Sequence, residues 1–272
     1  MSTYRLDRLF APRSVALVGG SPREKSVGRA ILKNLQNSGW SGALHLVNPN
    51  HREIDGMQAV KDLSALTAAP DLVIITTPPE AVPGVVAQSA EMGAGAAIII
   101  TAGLGHGPGS LAQACEQSAR AKGLRLIGPN CLGVLVPEQK LNASFAASMP
   151  AAGELALVSQ SGAIVAGMVD WAAQRGVGFS AIASIGDQLD VDFGDLLDYF
   201  ALDRATRAIL LYVEAIKNAR KFMSAARAAA RVKPVIVVKA GRQAAGAEAA
   251  ATHTGALAGA AKSGAIDSVG AG

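Results

Sequence analysis

Cysteine is nearly missing from this sequence. Cys115 and Cys131 are the only two in 272 residues, and their spacing is not C-x-x-C, so neither a zinc site nor a disulfide framework is expected and both default to reduced thiols. Aromatic residues are scarce too, at 4%, and no run of Lys and Arg interrupts the chain. The stacking platforms and basic stripes of nucleic-acid binders are therefore lacking, and no nucleic-acid partner is expected. No apolar stretch approaches the roughly 20 residues that cross a bilayer, so no membrane association is expected. The opening MSTYRLDRLF lacks the apolar centre of a secretory signal, which predicts a cytoplasmic protein.

What is present is a globular core of Val, Ile, Leu and Ala. Hydrophobic residues make up 50% of the chain and charged residues 17%, with a net charge of +4 that suits an anionic small ligand. The length allows two domains. Short, wholly apolar runs recur at Ser14 to Gly19, Leu44 to Val47, Leu72 to Thr76, Ala97 to Thr101 and Leu124 to Ile127. Runs without in/out alternation read as strands covered on both faces, hence a parallel, doubly wound sheet. Helical patterns at Val27 to Ser38, Pro79 to Met92 and Gly109 to Lys122 lie between them. The cadence restarts with strands at Leu155 to Ser159, Phe179 to Ile185, Ala208 to Val213 and Pro234 to Lys239, and helices at Ala163 to Arg175, Asp192 to Ala201 and Ala219 to Arg231. The stretch between the two units has three prolines and little clear periodicity, so residues 129–152 read as a linker between domains at 1–128 and 153–272. The Gly/Ala-rich end from Gly255 to Gly272 reads as a weak helix or a frayed end, and a longer parent protein is expected.

Two strand-to-helix turns have the composition to hold an anion. The first, Gly19-Gly20-Ser21-Pro22-Arg23, turns backbone N–H groups and a helix N-terminus toward one point. Its spacing is not G-x-G-x-x-G, and His51 and Arg52 stand after the second strand where a ribose-reading acid would be, which argues against NAD. The second, Ser159-Gln160-Ser161-Gly162, offers small hydroxyls and a glycine, which suit a phosphate or simply cap the helix. In a parallel sheet the loops after the strands gather on one edge. Ser161, Glu214 at the end of AILLYVE, and His253 on the loop after PVIVVKAG can therefore converge. On its own His253 reads as a solvated loop histidine. With an acid to hold one ring nitrogen and donors for phosphoryl oxygens, it reads as a phosphoryl acceptor.

These motifs resemble a known family. Ile127-Gly128-Pro129-Asn130-Cys131-Leu132-Gly133, Val158-Ser159-Gln160-Ser161-Gly162 and His253-Thr254-Gly255-Ala256, in that order, are similar to the α subunit of succinyl-CoA synthetase and to the NDP-forming acyl-CoA synthetases, over about Leu9 to Gly259. The resemblance implies an α/β protein with an N-terminal Rossmann-like CoA-binding domain followed by a flavodoxin-like, succinyl-CoA-synthetase-type domain, both with mainly parallel sheets. It implies that His253 is phosphorylated in turnover, that Glu214 stabilises the phosphohistidine, and that Ser159, Ser161 and Gly162 bind phosphate. Coenzyme A or acyl-CoA would meet Gly20, Ser21, Arg23, Pro49, Arg52, Thr76, Pro78, Thr101, Ala102, Asn130 and Cys131. The implied reaction converts acyl-CoA, phosphate and ADP to acid, CoA and ATP, with a short acyl group such as acetyl. Ala166 stands where the succinate enzymes have a tyrosine, and Asp187 where the acyl-CoA relatives commonly have asparagine. Nothing here resembles the ATP-grasp module that would bind ADP or ATP with Mg, so a β subunit or a downstream domain is expected to supply it, in an oligomer. The same region also occurs as the acyl-CoA-sensing part of protein lysine acetyltransferases, the alternative role; the presence of His253 favours catalysis.

Overall fold

The computed structural model describes residues 3–241. His253 and the Gly/Ala-rich end lie outside the described residues. The chain opens with α1 (Asp7–Phe10), β1 (Ser14–Val18), α2 (Val27–Asn37), β2 (Ala43–Val47), β3 (Glu53–Ile54), β4 (Met57–Val60), β5 (Leu72–Ile75), α3 (Val82–Met92), β6 (Ala96–Ile99), α4 (Leu111–Lys122) and β7 (Arg125–Ile127). The seven strands form one sheet in the order β3-β4-β2-β1-β5-β6-β7, parallel except where β3 runs against β4. Every residue of β5, β6 and β7 is buried, as expected of strands covered on both faces. Helix α2 shows how the covering works: Ser26 caps it by accepting from Arg29 N at 3.3 Å, and Ile31 and Leu32, with Leu35 one turn further on, put one apolar stripe on the sheet. The helix expected from Pro79 begins with a 3-10 turn, Pro79–Ala81, and becomes α-helical at Val82.

The second half contains β8 (Gly133–Val136), β9 (Leu141–Ser144), β10 (Ala152–Ser159), α5 (Gly162–Arg175), β11 (Phe179–Ser184), α6 (Phe193–Leu202), β12 (Ala208–Val213), α7 (Ala219–Ala230) and β13 (Val235–Lys239). Their sheet has the order β13-β12-β10-β11-β8-β9, with the first four parallel. β8 and β9 lie in the stretch read as a linker. They form an antiparallel pair whose β8 runs against β11, with Leu135 opposite Ile182. All eight of their residues are buried, so they show no alternation, and Pro137 with a left-handed Lys140 makes the turn between them.

The sheets share a core. One apolar cluster contains Leu17 and Ile98 of the first sheet together with Val134, Ala183 and Leu211 of the second. Polar ties cross the same boundary: Asn34 on α2 donates to the carbonyls of Ser144 and Ala146 at 2.8 and 2.9 Å. Arg125 on β7 meets Asp190 at 2.8 Å and Asp195 on α6 at 3.4 Å.

Candidate functional site

Each sheet has a point where the strand order reverses, and ligands of open α/β sheets bind at the carboxyl ends of the strands there. In the first sheet the reversal lies between β1 and β5. Gly19 has φ +94°, and a Cβ on it would lie 2.8 Å from Thr76 Oγ1; one on Gly28 would lie 2.4 Å from the Gly19 carbonyl. Only glycine lets the turn and the N-terminus of α2 approach so closely. The result is a cleft of about 490 Å³ lined by Gly19, Ser21, Arg23, Ser26, Val27, Gly28, Thr76, Thr77, Pro78, Ile100, Thr101 and Ala102. Ser21 Oγ accepts from Arg23 N at 3.2 Å and Ser26 Oγ donates to Arg23 O at 2.8 Å, which fixes the turn while Arg23 itself stays exposed. Arg29 is paired with Asp55 through two bonds of 2.8 Å.

Of the residues expected to touch CoA, Ser21, Arg23, Thr76, Pro78, Thr101 and Ala102 line this cleft. Gly20 is buried beneath it, its carbonyl accepting from Asn48 Nδ2 at 2.7 Å. Pro49 and Arg52 are exposed on the neighbouring turn after β2, and Asn130 stands past the end of the cleft, its N–H bonded to Thr101 O at 3.1 Å. Cys131 does not reach the cleft. It is 5% exposed and donates to Ile99 O at 3.3 Å, and burial pushes its thiol up to about 12, so it is a core residue and not a nucleophile.

The second reversal lies between β10 and β12. Ser159 is fully buried: its hydroxyl donates to Ser161 O at 2.9 Å and accepts from Ser161 N at 3.0 Å, so it shapes the turn from within. Ser161 caps α5, accepting from Ile164 N at 3.4 Å. Gly162 is the first residue of that 14-residue helix, whose dipole and free N–H groups favour an anion here. Glu214, 4% exposed, follows β12 directly. The group that joins the two turns is Gln160: its Oε1 accepts from the N–H of Glu214 at 2.6 Å and of Ala215 at 2.9 Å. Sequence reasoning missed it, although an amide between two anion-binding hydroxyls was the available signal. Lys239 Nζ donates to Glu214 O at 3.0 Å, and burial lowers its pKa against the opposing pull of the Glu214 charge. The structure thus brings Ser159, Ser161, Gly162 and Glu214 together.

Among the described residues no group of three or more His, Cys, Asp or Glu side chains could hold a metal ion, and no helix is long and apolar enough to cross a membrane. A groove of about 640 Å³ along α7, lined by Arg220, Arg227 and Arg231 among others, involves none of these turns.

Residues 13–137 match a CoA binding domain and residues 152–270 a succinyl-CoA ligase like flavodoxin domain, so the two models together account for most of the chain. The chain belongs to the NDP-forming acyl-CoA synthetase family. Over 93% of its length this synthetase region is 40% identical to acetate–CoA ligase [ADP-forming] I of Archaeoglobus fulgidus, of which it spans 37%. It is 39% identical, again over 93%, to the α subunit of acetate–CoA ligase [ADP-forming] I of Pyrococcus furiosus, of which it spans 56%. Its fold follows acetyl-coenzyme A synthetase 1 of Ca. Korarchaeum cryptofilum, solved with phosphate and ADP, at a TM-score of 0.89 and 34% identity, covering 97% of this chain and 57% of that one. The chain therefore spans between about a third and three fifths of these relatives.

Proposed function

We propose that this chain is the CoA-binding and phosphohistidine-bearing half of an acyl-CoA synthetase that converts acyl-CoA, phosphate and ADP into acid, CoA and ATP, with acetyl or another short acyl group. The observation that carries it is the pairing of turns by Gln160, which sets Glu214 beside the N-terminus of α5. In this reading 1–128 is the CoA domain, 153–272 the ligase domain, and 129–152 joins them. Ser21, Arg23, Thr76, Pro78, Thr101 and Ala102 hold CoA in the first cleft, with Gly20, Pro49, Arg52 and Asn130 at its margins. Ser161 and Gly162 hold phosphate, and Ser159 shapes their turn.

A phosphate oxygen attacks the thioester carbonyl, the C–S bond breaks, and CoA leaves as the thiol on gaining a proton. A ring nitrogen of His253 then attacks phosphorus and the acid leaves as its carboxylate. Glu214 accepts from the other ring N–H and stabilises the charged ring. An ATP-grasp partner, as a subunit or a downstream domain, presents ADP with Mg to collect the phosphoryl group. Such an assembly is an oligomer or a longer chain, and works in the cytoplasm.

The test is reconstitution. Mixed with an ATP-grasp partner of the family, acetyl-CoA, phosphate and ADP, the chain is expected to form ATP and free CoA in equal amounts. No ATP, under conditions where a relative's α subunit succeeds with that partner, contradicts the reading.

A further inference from the structure

Between the CoA cleft and the phosphate turn lies a cluster of titratable groups that the scheme above does not use. The turn after β11, Ile185 to Leu189, is clamped on both sides. Ile185 N donates to Ser159 O at 2.8 Å, and Asp187 N and Leu189 N donate to the carbonyls of Pro129 and Gly128, each at 2.9 Å. Gly186 has φ +50°, and a Cβ there would fall 2.2 Å from Pro129 O, so only glycine lets this turn lie so close to the 128–130 turn. Asn130 links the other way: its N–H bonds Thr101 O at the end of the CoA cleft, and its Nδ2 donates to Asp187 Oδ1 at 3.4 Å. Asp187 therefore sits on a short bridge from the cleft to the phosphate turn. A thioester must lie along that bridge if CoA fills the cleft and phosphate the turn.

Three charged or titratable side chains from three elements meet there. Burial raises the Asp187 pKa, and the Asn130 hydrogen bond with the charges of His106, from the glycine-rich loop after β6, and Lys217, after β12, only partly offsets it. Among the ion pairs of the described residues none joins His106 or Lys217 to Asp187. Lys217 Nζ is anchored to Gln188 O at 2.9 Å. Gln188 Nε2 in turn reaches Ala215 O at 3.4 Å, beside Glu214. The carboxylate is thus held at a fixed place, partly desolvated, with its charge not cancelled by contact. A second carboxylate brought there on a substrate would meet a like charge in a site of reduced dielectric.

We infer that Asp187 is a specificity-determining residue of the acyl site and excludes acyl groups that end in a carboxylate, leaving neutral short acyl groups as substrates. The inference rests on the CoA-binding reading, and calorimetry separates the two. Butyryl-CoA and succinyl-CoA match in chain length and differ in the terminal charge. The full 272-residue chain is expected to bind CoA and butyryl-CoA, and to bind succinyl-CoA at least about tenfold more weakly, a difference of about 1.4 kcal/mol. Asp187→Asn, which keeps the size and the contact with Asn130, should bring the two to within about threefold, as should Asp187→Ser if the amide variant folds poorly. Succinyl-CoA binding as tightly as butyryl-CoA in the unmodified chain, or a gap that survives in a folded variant, overturns the inference while CoA binding stands. Failure to bind CoA at all overturns both.

Discussion

Gln160 concentrates more of the site than any other single side chain. Its oxygen satisfies two backbone donors in a buried turn, and each donor left without a partner costs about 1–3 kcal/mol. Gln160→Ala is expected to destabilise the chain by about 2–6 kcal/mol in chemical denaturation and to uncouple Glu214 from the phosphate turn. A variant as stable as the parent would show that other groups hold the two turns together. Asp71 offers a pH-dependent test. Burial works to raise its pKa, but the Arg13 backbone N–H at 2.8 Å and the Arg8 guanidinium more than offset it, so the net shift is downward. A carboxylate with a depressed folded-state pKa stabilises the fold above its ordinary pKa, and that contribution is lost as pH falls through the folded value. Asp71→Asn should therefore lower Tm at pH 7 and have much less effect near pH 3. An equal loss at both would rule out charge as the cause. Placement was partly legible. That Ser161 and Glu214 lie near one another follows from where loops gather on a parallel sheet, whereas the burial of Cys131 does not show in the motif, because a motif does not show which way a thiol turns; the bond to Ile99 O shows that.

At the level of elements, α5 is both cap and binding surface. Ser161→Ala removes its N-cap at a cost of about 1 kcal/mol and is expected to raise the phosphate requirement of ATP formation several-fold with little change in the CoA requirement. A larger effect on CoA than on phosphate would contradict the placement of phosphate at this helix. The buried ties of β7 to α6 make a second case. Arg125→Met removes one partner of Asp190, which keeps the Leu126 N–H at 2.9 Å, and one partner of Asp195, which keeps Lys221 at 2.6 Å. The loss should then be smaller than the about 3–5 kcal/mol of a stranded buried charge, near 2 kcal/mol, or a Tm lower by about 4–8 °C. The parallel strands could be read from sequence because double-sided burial makes each a short apolar run, as in LVII of β5. β8 and β9 could not, because each is only four residues long, β9 buries the polar Asn142 and Ser144, and Pro137, which makes their turn, looked like a linker signal.

For the whole molecule, the shared core means that the two sheets should not melt separately. Calorimetry is expected to give a single cooperative transition, since Leu17 and Ile98 pack in the same cluster as Val134 and Leu211. Two resolved transitions would show that the interface contributes little. Asp187 lies between the CoA cleft and the phosphate turn, and in the proposed reaction phosphate passes from that turn to His253. The most direct measurement is therefore of phosphate on the protein. Incubated with acetyl-CoA and radiolabelled phosphate, the chain should acquire label that is lost in acid, retained in base, dependent on acetyl-CoA, and absent from His253→Ala. Label that persists in His253→Ala, or an unlabelled chain that still supports ATP formation with its partner, would contradict the assignment of His253 as the phosphoryl carrier.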